Sequence, residues 1–516
     1  MTKQKIKEFR SVAVIALMSL ILLWQNIEQS PWREKEVIQT DAKVYHIYLP
    51  ATIINKDPFL ELETPDKIKR YGTHTSPIGR NAVKMSMGVA MMNLPFFYGG
   101  HLYALSNDNY AVDGYSEPYQ LAISLSSVFY MIMGLIFLWL VLKRTFSDLI
   151  SLLTILFIGV GTNLYYYSIY ETGLSHPCTF FLLSALLYLI HNWLSQKKMW
   201  KSILMGAILG LIVLVRPINI LFILPLILLF KTQDLKWSAY LKQLFLPFSY
   251  VLAIVLGGFL IILPQLIFWK IQTGSLVYYT YGDEGFFWSN PHIWEGLFSF
   301  RKGWFIYTPL MLFALYGMVR LYKIQKMYFW AIAFFLPLFL YITFSWWSWW
   351  YGGSFGARTL IDILPFMAFP LAGLIDWIFQ KRWRLIILII PLYFVYVNLY
   401  QSWQYSHKML HYDSMTFEGY KTIFLKHYTP DEYWGQLRKP DYVNALKYGI
   451  EKVSLPILND PVPTFSEEDI QNMIEYIKTD EKWIKEIELK AMDRNQSVDS
   501  VLRNHVIWLF ENKKVK

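Results

Sequence analysis

The chain has 516 residues, 55% of them hydrophobic and 18% aromatic, with only 17% charged. That composition excludes an ordinary soluble multidomain protein and places the chain among polytopic membrane proteins. The formal net charge is +10, but Lys and Arg fall in short clusters between apolar segments, so the basicity reads as membrane orientation and no nucleic-acid surface is expected. Cys178 is the single cysteine, which excludes an intrachain disulfide.

The first apolar segment, Val12 to Trp24, follows basic residues and lacks a small-residue cleavage pattern after it, so it reads as a retained first span. Just beyond it lies Thr40-Asp41-Ala42-Lys43-Val44-Tyr45-His46-Ile47-Tyr48-Leu49-Pro50. In a helix Asp41, Tyr45, Tyr48 and Thr52 share one face, an acid beside two phenols. A carboxylate held where a spanning helix emerges into water can take a proton from a polar acceptor while a lipid-borne donor waits in the bilayer. The alternative is that Asp41 caps a helix starting at Ala42.

The segment from Ile27 to Pro118 forms a large first outer loop. Within it, Lys84 to Phe97 is apolar yet too short to span, which predicts a segment lying along the outer leaflet with Lys84 at headgroup level. Asp113-Gly114-Tyr115-Ser116-Glu117-Pro118 is a turn into the next span, and Asp113 and Glu117 are candidate second carboxylates.

Runs near the roughly 20 residues needed to cross ~30 Å of hydrocarbon follow at Tyr119–Leu142, Leu149–Ile169, Thr179–Leu194, Leu244–Trp269, Phe305–Val319, Tyr328–Ser345, Thr359–Phe379 and Leu385–Tyr400. Ile203–Phe230 is too long for one upright helix, and Arg216-Pro217 interrupts it. Read as a hairpin of two short helices, it places Lys143-Arg144, Lys197-Lys198, Lys231 to Lys242, Arg320 to Lys326 and Lys381 to Arg384 on the side of the basic N-terminus. The expectation is an all-α polytopic protein of about eleven membrane segments with a cytoplasmic N-terminus. Residues 1–401 form the membrane domain, and residues 402–516, charged and punctuated by prolines, an extracytoplasmic helical domain or tail.

A cation at the hairpin apex costs roughly 2.5 to 3.5 kcal/mol and needs a partner, so Arg216 faces a lipid phosphate, a cage of carbonyls, or Glu171. Asp362 stands four residues from Arg358, which suggests an ion pair. His176 sits at a membrane boundary, and no His, Cys or Asp pattern has zinc-site spacing, so no structural metal is expected. Arg301 and Lys302 are an adjacent basic pair on the outside, able to clamp a phosphate or to meet headgroups. Trp346, Trp347, Trp349, Trp350 and Tyr351 form an aromatic cluster before a Gly-rich turn, either an interfacial belt or a platform for a sugar face.

An acid after the first span, the Lys-x-x-x-Gly-x-Ala-x-x-x-x-Pro-Phe-Phe segment from Lys84, Asp-Gly-Tyr-Ser-x-Pro-Tyr-Gln from Asp113, Ser175-His176-Pro177, the Arg-Pro break and Phe-Gly-x-Arg-x-Leu-Ile-Asp from Phe355 follow one another in that order. Together they resemble the bacterial integral-membrane glycosyltransferases of the GT-C superfamily, relatives of the protein O-mannosyltransferases and of the lipid A aminoarabinose transferase. The resemblance implies a polyprenyl-phosphate sugar donor and an acid in the first outer loop as base, by position Asp41. The acceptor would be a hydroxyl of a protein, lipid or glycan at the outer face of a bacterial inner membrane. Many members carry two adjacent acids there; this chain has Asp41-Ala42, which leaves open whether a divalent metal, Mg or Mn, takes part.

Lys84, Arg216, Arg301, Lys302 and Arg358 are the pool of cations for the departing phosphate, and Tyr45, Tyr48, Asp113, Glu117, His176, Trp350 and Tyr351 the candidates for holding sugar and acceptor. One base and a good leaving group imply inversion at the anomeric carbon. The rival readings are a transporter or flippase of lipid-linked sugars and a non-catalytic scaffold. Neither is favoured, because repeats and midplane ion sites are not evident.

Overall fold

The computed structural model describes residues 3–29, 32–33, 37–61, 72–229, 247–451, 467–479, 483–485, 487–488 and 497–511. The basic cluster Lys231 to Lys242 and the prolines Pro456, Pro461 and Pro463 lie outside the described residues.

The long apolar runs form helices: α1 Lys3–Gln29, α2 Thr40–His46, α3 Tyr48–Ile53, α4 Gly88–Leu105, α5 Glu117–Leu142, α6 Asp148–Val160, α7 Leu164–Ile169, α8 Ser175–Ser195, α9 Met199–Val215, α10 Ile223–Leu229 and α11 Phe248–Thr273. After the second outer loop, expected from Ile271 to Trp304, come α12 Leu310–Ile324, α13 Lys326–Phe344, α14 Leu364–Phe379 and α15 Ile389–Ser406. Two 3-10 segments, Pro217–Phe222 and Arg358–Ile363, precede α10 and α14.

Among the described residues seven helices are long and apolar enough to cross a membrane, so the chain is a multi-pass membrane protein built mostly of helix. These seven match seven of the expected segments, and the count of about eleven is not confirmed. The other four come out short or broken. Leu149–Ile169 divides at Gly161 into α6 and α7; Phe305–Val319 is interrupted at Thr308-Pro309, where proline supplies no backbone N–H; and Ile203–Phe230 breaks at Arg216. The halves of that last run are not a tight hairpin: α9 packs on α11, and α10 on α13.

The Arg358–Phe379 stretch is the centre of the bundle, 89% buried over its apolar window, whereas Phe248–Thr273 is only 22% buried and lies at the edge. α9 and α11 meet backbone to backbone. A Cβ on Gly206 would stand 1.9 Å from the Ile254 carbonyl oxygen, and one on Gly257 2.2 Å from that of Ile203, so glycine is what permits the approach. Buried polar ties fix the packing elsewhere: Asn26 of α1 donates to Ser124 of α5 at 2.9 Å, and Ser11 pairs with Asp148 at the start of α6.

The outer segments differ from a purely helical expectation. Thr73–Thr75 and Asn81–Val83 form an antiparallel ribbon, β1 and β2, too short for alternation to announce it. Lys84 to Phe97 is not among the candidate spans. From Gly88 it belongs to the 18-residue α4, packed on α5, with Tyr98, Leu102 and Tyr103 exposed. Beyond α15, Leu410, Met415, Ile423, Tyr433, Leu437 and Ala445 join the main core. Glu467–Thr479 is helical, and Ile474, Ile477, Ile487, Val501, Leu502 and Val506 form a small core of their own.

Candidate active site

A cavity of about 480 Å³ opens where α2, the end of β2, the α9 break, the second outer loop and the aromatic loop before α14 converge. That volume lies within the range of small-ligand sites. Of the residues selected by sequence, Asp41, Tyr45, Lys84, His176, Arg216, Tyr351 and Arg358 line it. Tyr48, Asp113, Glu117, Arg301, Lys302 and Trp350 do not.

Asp41 lies in the first turn of α2, whose N-cap is Gln39, and makes no capping bond. Its carboxylate instead accepts from Arg358 Nη2 at 2.9 Å. Two backbone positions beside the cavity are strained: Thr40 at φ 46° and Tyr351 at φ 54°, both in the left-handed region that β-branched and bulky residues avoid. Such strain costs on the order of 1 to 3 kcal/mol each and collects at functional sites.

The ion pairs differ from those suggested by spacing. Arg358 does not pair with Asp362, because their segment is a 3-10 helix, in which residues four apart point in different directions. Asp362 is wholly buried and pairs with Arg216 at 2.9 Å. Asn219 donates to the same carboxylate oxygen, Oδ2, at 3.0 Å. Arg216 Nη1 also donates to His176 Nδ1 at 3.1 Å, so the Ser-His-Pro turn at the head of α8 braces the α9 break. Glu171 is not the partner of Arg216.

The third cation, Lys84, leaves β2 with its backbone fixed by Gly72 and Thr280. Its ammonium pairs with Glu284 and stands 5.3 Å over the Tyr281 ring. Glu284 Oε2 also accepts from the Trp347 indole at 3.1 Å. Sequence reasoning missed Glu284 as a site residue: adjacent acids, Asp283-Glu284, do not say which turns inward. Tyr442, beyond the last span, lines the cavity as well and had no signal in the sequence.

The residues that fall outside the cavity are consumed by structure. Tyr48 is buried and donates to the Met85 carbonyl at 2.7 Å. Asp113 accepts from the backbone of Tyr115 and Ser116, both at 2.8 Å, and Glu117 begins α5. Arg301 pairs with Glu451 at 2.6 Å and lies over the Trp349 and Trp350 rings. Lys302 is 2% exposed and donates to the Ser354 and Tyr412 carbonyls, clamping the aromatic loop onto the segment after α15. Trp350 is buried beside Tyr442; it is Trp346 and Trp347 that face the cavity.

Burial tunes three groups of the outer segments. It pushes the Tyr45 phenol up, with Asp41 adding to the rise, so Tyr45 stays a hydrogen-bond donor. It raises the Glu171 carboxyl to about 7, against the pull of Arg358, and lowers the Lys302 ammonium to about 7.

Among the described residues no three His, Cys, Asp or Glu side chains gather as ligands, and the carboxylate of Asp41 faces a guanidinium in place of a second acid. The residues present do not fit a Mg, Mn or Zn site.

Residues 117–268 match the family described as dolichyl-phosphate-mannose-protein mannosyltransferase. The match takes in Glu117, His176 and Arg216 but neither Asp41 nor Arg358. Comparison with the curated proteins gave no match. Among solved structures, the oligosaccharyltransferase of Archaeoglobus fulgidus, tethered to an acceptor peptide, superposes at a TM-score of 0.47 and 12% identity, covering 82% of this chain. The same enzyme in complex with Zn and sulfate gives 0.41 and 14% over 78% of this chain and 54% of its own. The chain thus spans about 57% of the length of the first of these. From α5 into α11 the chain is similar to the dolichyl-phosphate-mannose-protein mannosyltransferases, which bears out the resemblance to membrane glycosyltransferases read from its motifs.

Proposed function

We propose that the protein transfers a sugar from a polyprenyl-phosphate donor to a hydroxyl of a protein, lipid or glycan at the outer face of the membrane. The observation that carries the reading is one cavity lined by two carboxylates, Asp41 and Glu284, and three cations, Lys84, Arg216 and Arg358. The acceptor oxygen attacks the anomeric carbon as the bond from that carbon to the phosphate oxygen breaks, its electron pair leaving with the phosphate. The acceptor proton passes to Asp41, and the products are an inverted glycoside and polyprenyl phosphate.

The charge that grows on the phosphate is what the cations stabilise. Arginine carries five N–H donors in a planar fork. Arg358 uses one nitrogen to orient Asp41 and keeps others for the phosphate, which couples base and leaving group through one side chain. Trp346, Trp347 and Tyr351 offer aromatic faces to the sugar. No step is assigned to a metal.

The test is incubation of the purified protein with a panel of polyprenyl-phosphate sugars and an acceptor extract. Release of polyprenyl phosphate that Asp41→Asn abolishes supports the reading. Movement of intact donor across a vesicle without its cleavage would instead make the protein a flippase.

A further inference from the structure

Each cation of the cavity has a carboxylate partner: Arg216 with Asp362, Arg358 with Asp41, and Lys84 with Glu284. A phosphate entering the cavity therefore competes with an acid for its cation. The three pairs differ in how easily they part. Asp362 is fully buried and held also by Asn219, so Arg216 cannot leave it without stranding a buried charge. Asp41 and Arg358 are joined by a bond that orients the base. Lys84 and Glu284 are each about a quarter to a third exposed, at 32% and 23%, and the lysine is a flexible stem carrying three donors.

The pair is built so that the ammonium moves and the acid stays. The Glu284 backbone is held by its own turn to Tyr281 at 3.1 Å, the following Gly285 accepts from Trp347 N at 3.0 Å, and Phe286 bridges to Trp346. The Trp347 indole then fixes the carboxylate itself. This part of the second outer loop is a rigid arm that presents one acid to one lysine.

Building on the proposed function, we infer that Glu284 competes with the lipid phosphate for Lys84 and so sets how tightly the product is held. A sugar phosphodiester carries a single negative charge, whereas the released monoester carries about −1.5 to −2 at pH 7. Three cations facing a near-dianion would retain it. By reclaiming Lys84, Glu284 leaves the product with two arginines already engaged, and polyprenyl phosphate departs. Glu284 is thus a positioning residue for product release, with no part in bond making.

The test uses the purified full chain in detergent and measures equilibrium binding of a synthetic polyprenyl phosphate, beside product inhibition and the split of kcat from KM in the transfer assay. Glu284→Gln keeps an acceptor for Trp347 and discards the charge. It is expected to bind polyprenyl phosphate about tenfold tighter, with a lower donor KM and a lower kcat. Glu284→Ala should tighten binding in the same sense, so the reading does not depend on one variant folding. In a Lys84→Ala background, Glu284→Gln should add nothing. Unchanged or weaker binding by both Glu284 variants, with wild-type binding intact, overturns the inference and leaves the donor assignment standing. Tightening towards inorganic phosphate without tightening towards the lipid phosphate overturns the assignment to product release. If the wild-type chain binds no polyprenyl phosphate at all, the donor reading itself fails and this inference falls with it.

Discussion

The Arg358 guanidinium donates to the Asp41 carboxylate at 2.9 Å across 317 residues of sequence. The bond joins the first turn after the first span to the loop before α14, and it sets the orientation of the proposed base. Because Asp41 makes no capping bond, Asp41→Asn should leave the fold nearly intact, losing about 1 kcal/mol or less for a partly exposed pair. Turnover should fall by about 10² to 10⁴, the effect of removing a general base, while donor binding survives. Thermal unfolding and transfer measured on one preparation check both; near wild-type turnover would move the base elsewhere.

Arg216→Ala should behave differently, because it leaves the carboxylate of Asp362 buried without its cation. Destabilisation of about 3 to 5 kcal/mol is expected. Adding Asp362→Asn should recover a substantial part of it, since the stranded charge is removed. A calorimetric series of the two single variants and the double variant decides; additive losses would show that the pair is not the source.

The stability of the protein should depend on pH through Glu171 and Lys302. Burial raises the folded-state Glu171 carboxyl from 4.5 to about 7, so between those values the folded chain holds a proton that the unfolded chain has lost, and stability falls as pH rises through that window. Lys302 is lowered from 10.5 to about 7, so above 7 the unfolded chain holds the extra proton and stability climbs with pH. Glu171→Gln should erase the falling limb and raise the melting temperature near pH 8. A melting profile of the variant parallel to wild type from pH 5 to 9 would rule this out.

The segment after α15 completes the site: Tyr442 lines the cavity, its hydroxyl donates to Asp413 at 2.9 Å, and Lys302 holds Tyr412. Truncation after Gln401 is expected to abolish both folding and transfer, since it removes Leu410, Met415, Tyr433 and Leu437 from the main core. Truncation after Glu451, which keeps the partner of Arg301, should retain a folded chain. Expression and size-exclusion profiles of the two truncated chains in detergent give the comparison.

Orientation can be read by labelling, because the one native cysteine, Cys178, is buried. An impermeant maleimide applied to intact cells should label Asp283→Cys and spare Lys198→Cys, both at exposed positions. The reverse pattern would turn the proposed topology over and place the cavity on the cytoplasmic side.

What could be read from the chain alone follows from the range over which residues communicate. The spans are legible because twenty apolar residues in a row carry their own signal, and the break at Arg216-Pro217 is legible because proline and a charge both oppose a continuous helix. The Asp41 and Tyr45 face is legible because four residues on a helix make one turn. The partner of each charge is not. Arg358 is four residues from Asp362 and 317 from Asp41, yet the 3-10 geometry and the packing of α14 choose the distant acid. Arg301 and Lys302 looked free because nothing local pairs with them; Glu451 and the Tyr412 carbonyl reach them only through the fold.

Asp41 begins α2, Lys84 follows β2, Arg216 separates α9 from its 3-10 continuation, and Arg358 opens the segment before α14. These four charges thus hang on joints between regular elements, and none on the middle of a closely packed span. Exchanging those joints leaves the bundle's interlocked interior untouched. A chimera that keeps these spans and borrows only the four junctions and the second outer loop from a relative should acquire that relative's choice of sugar.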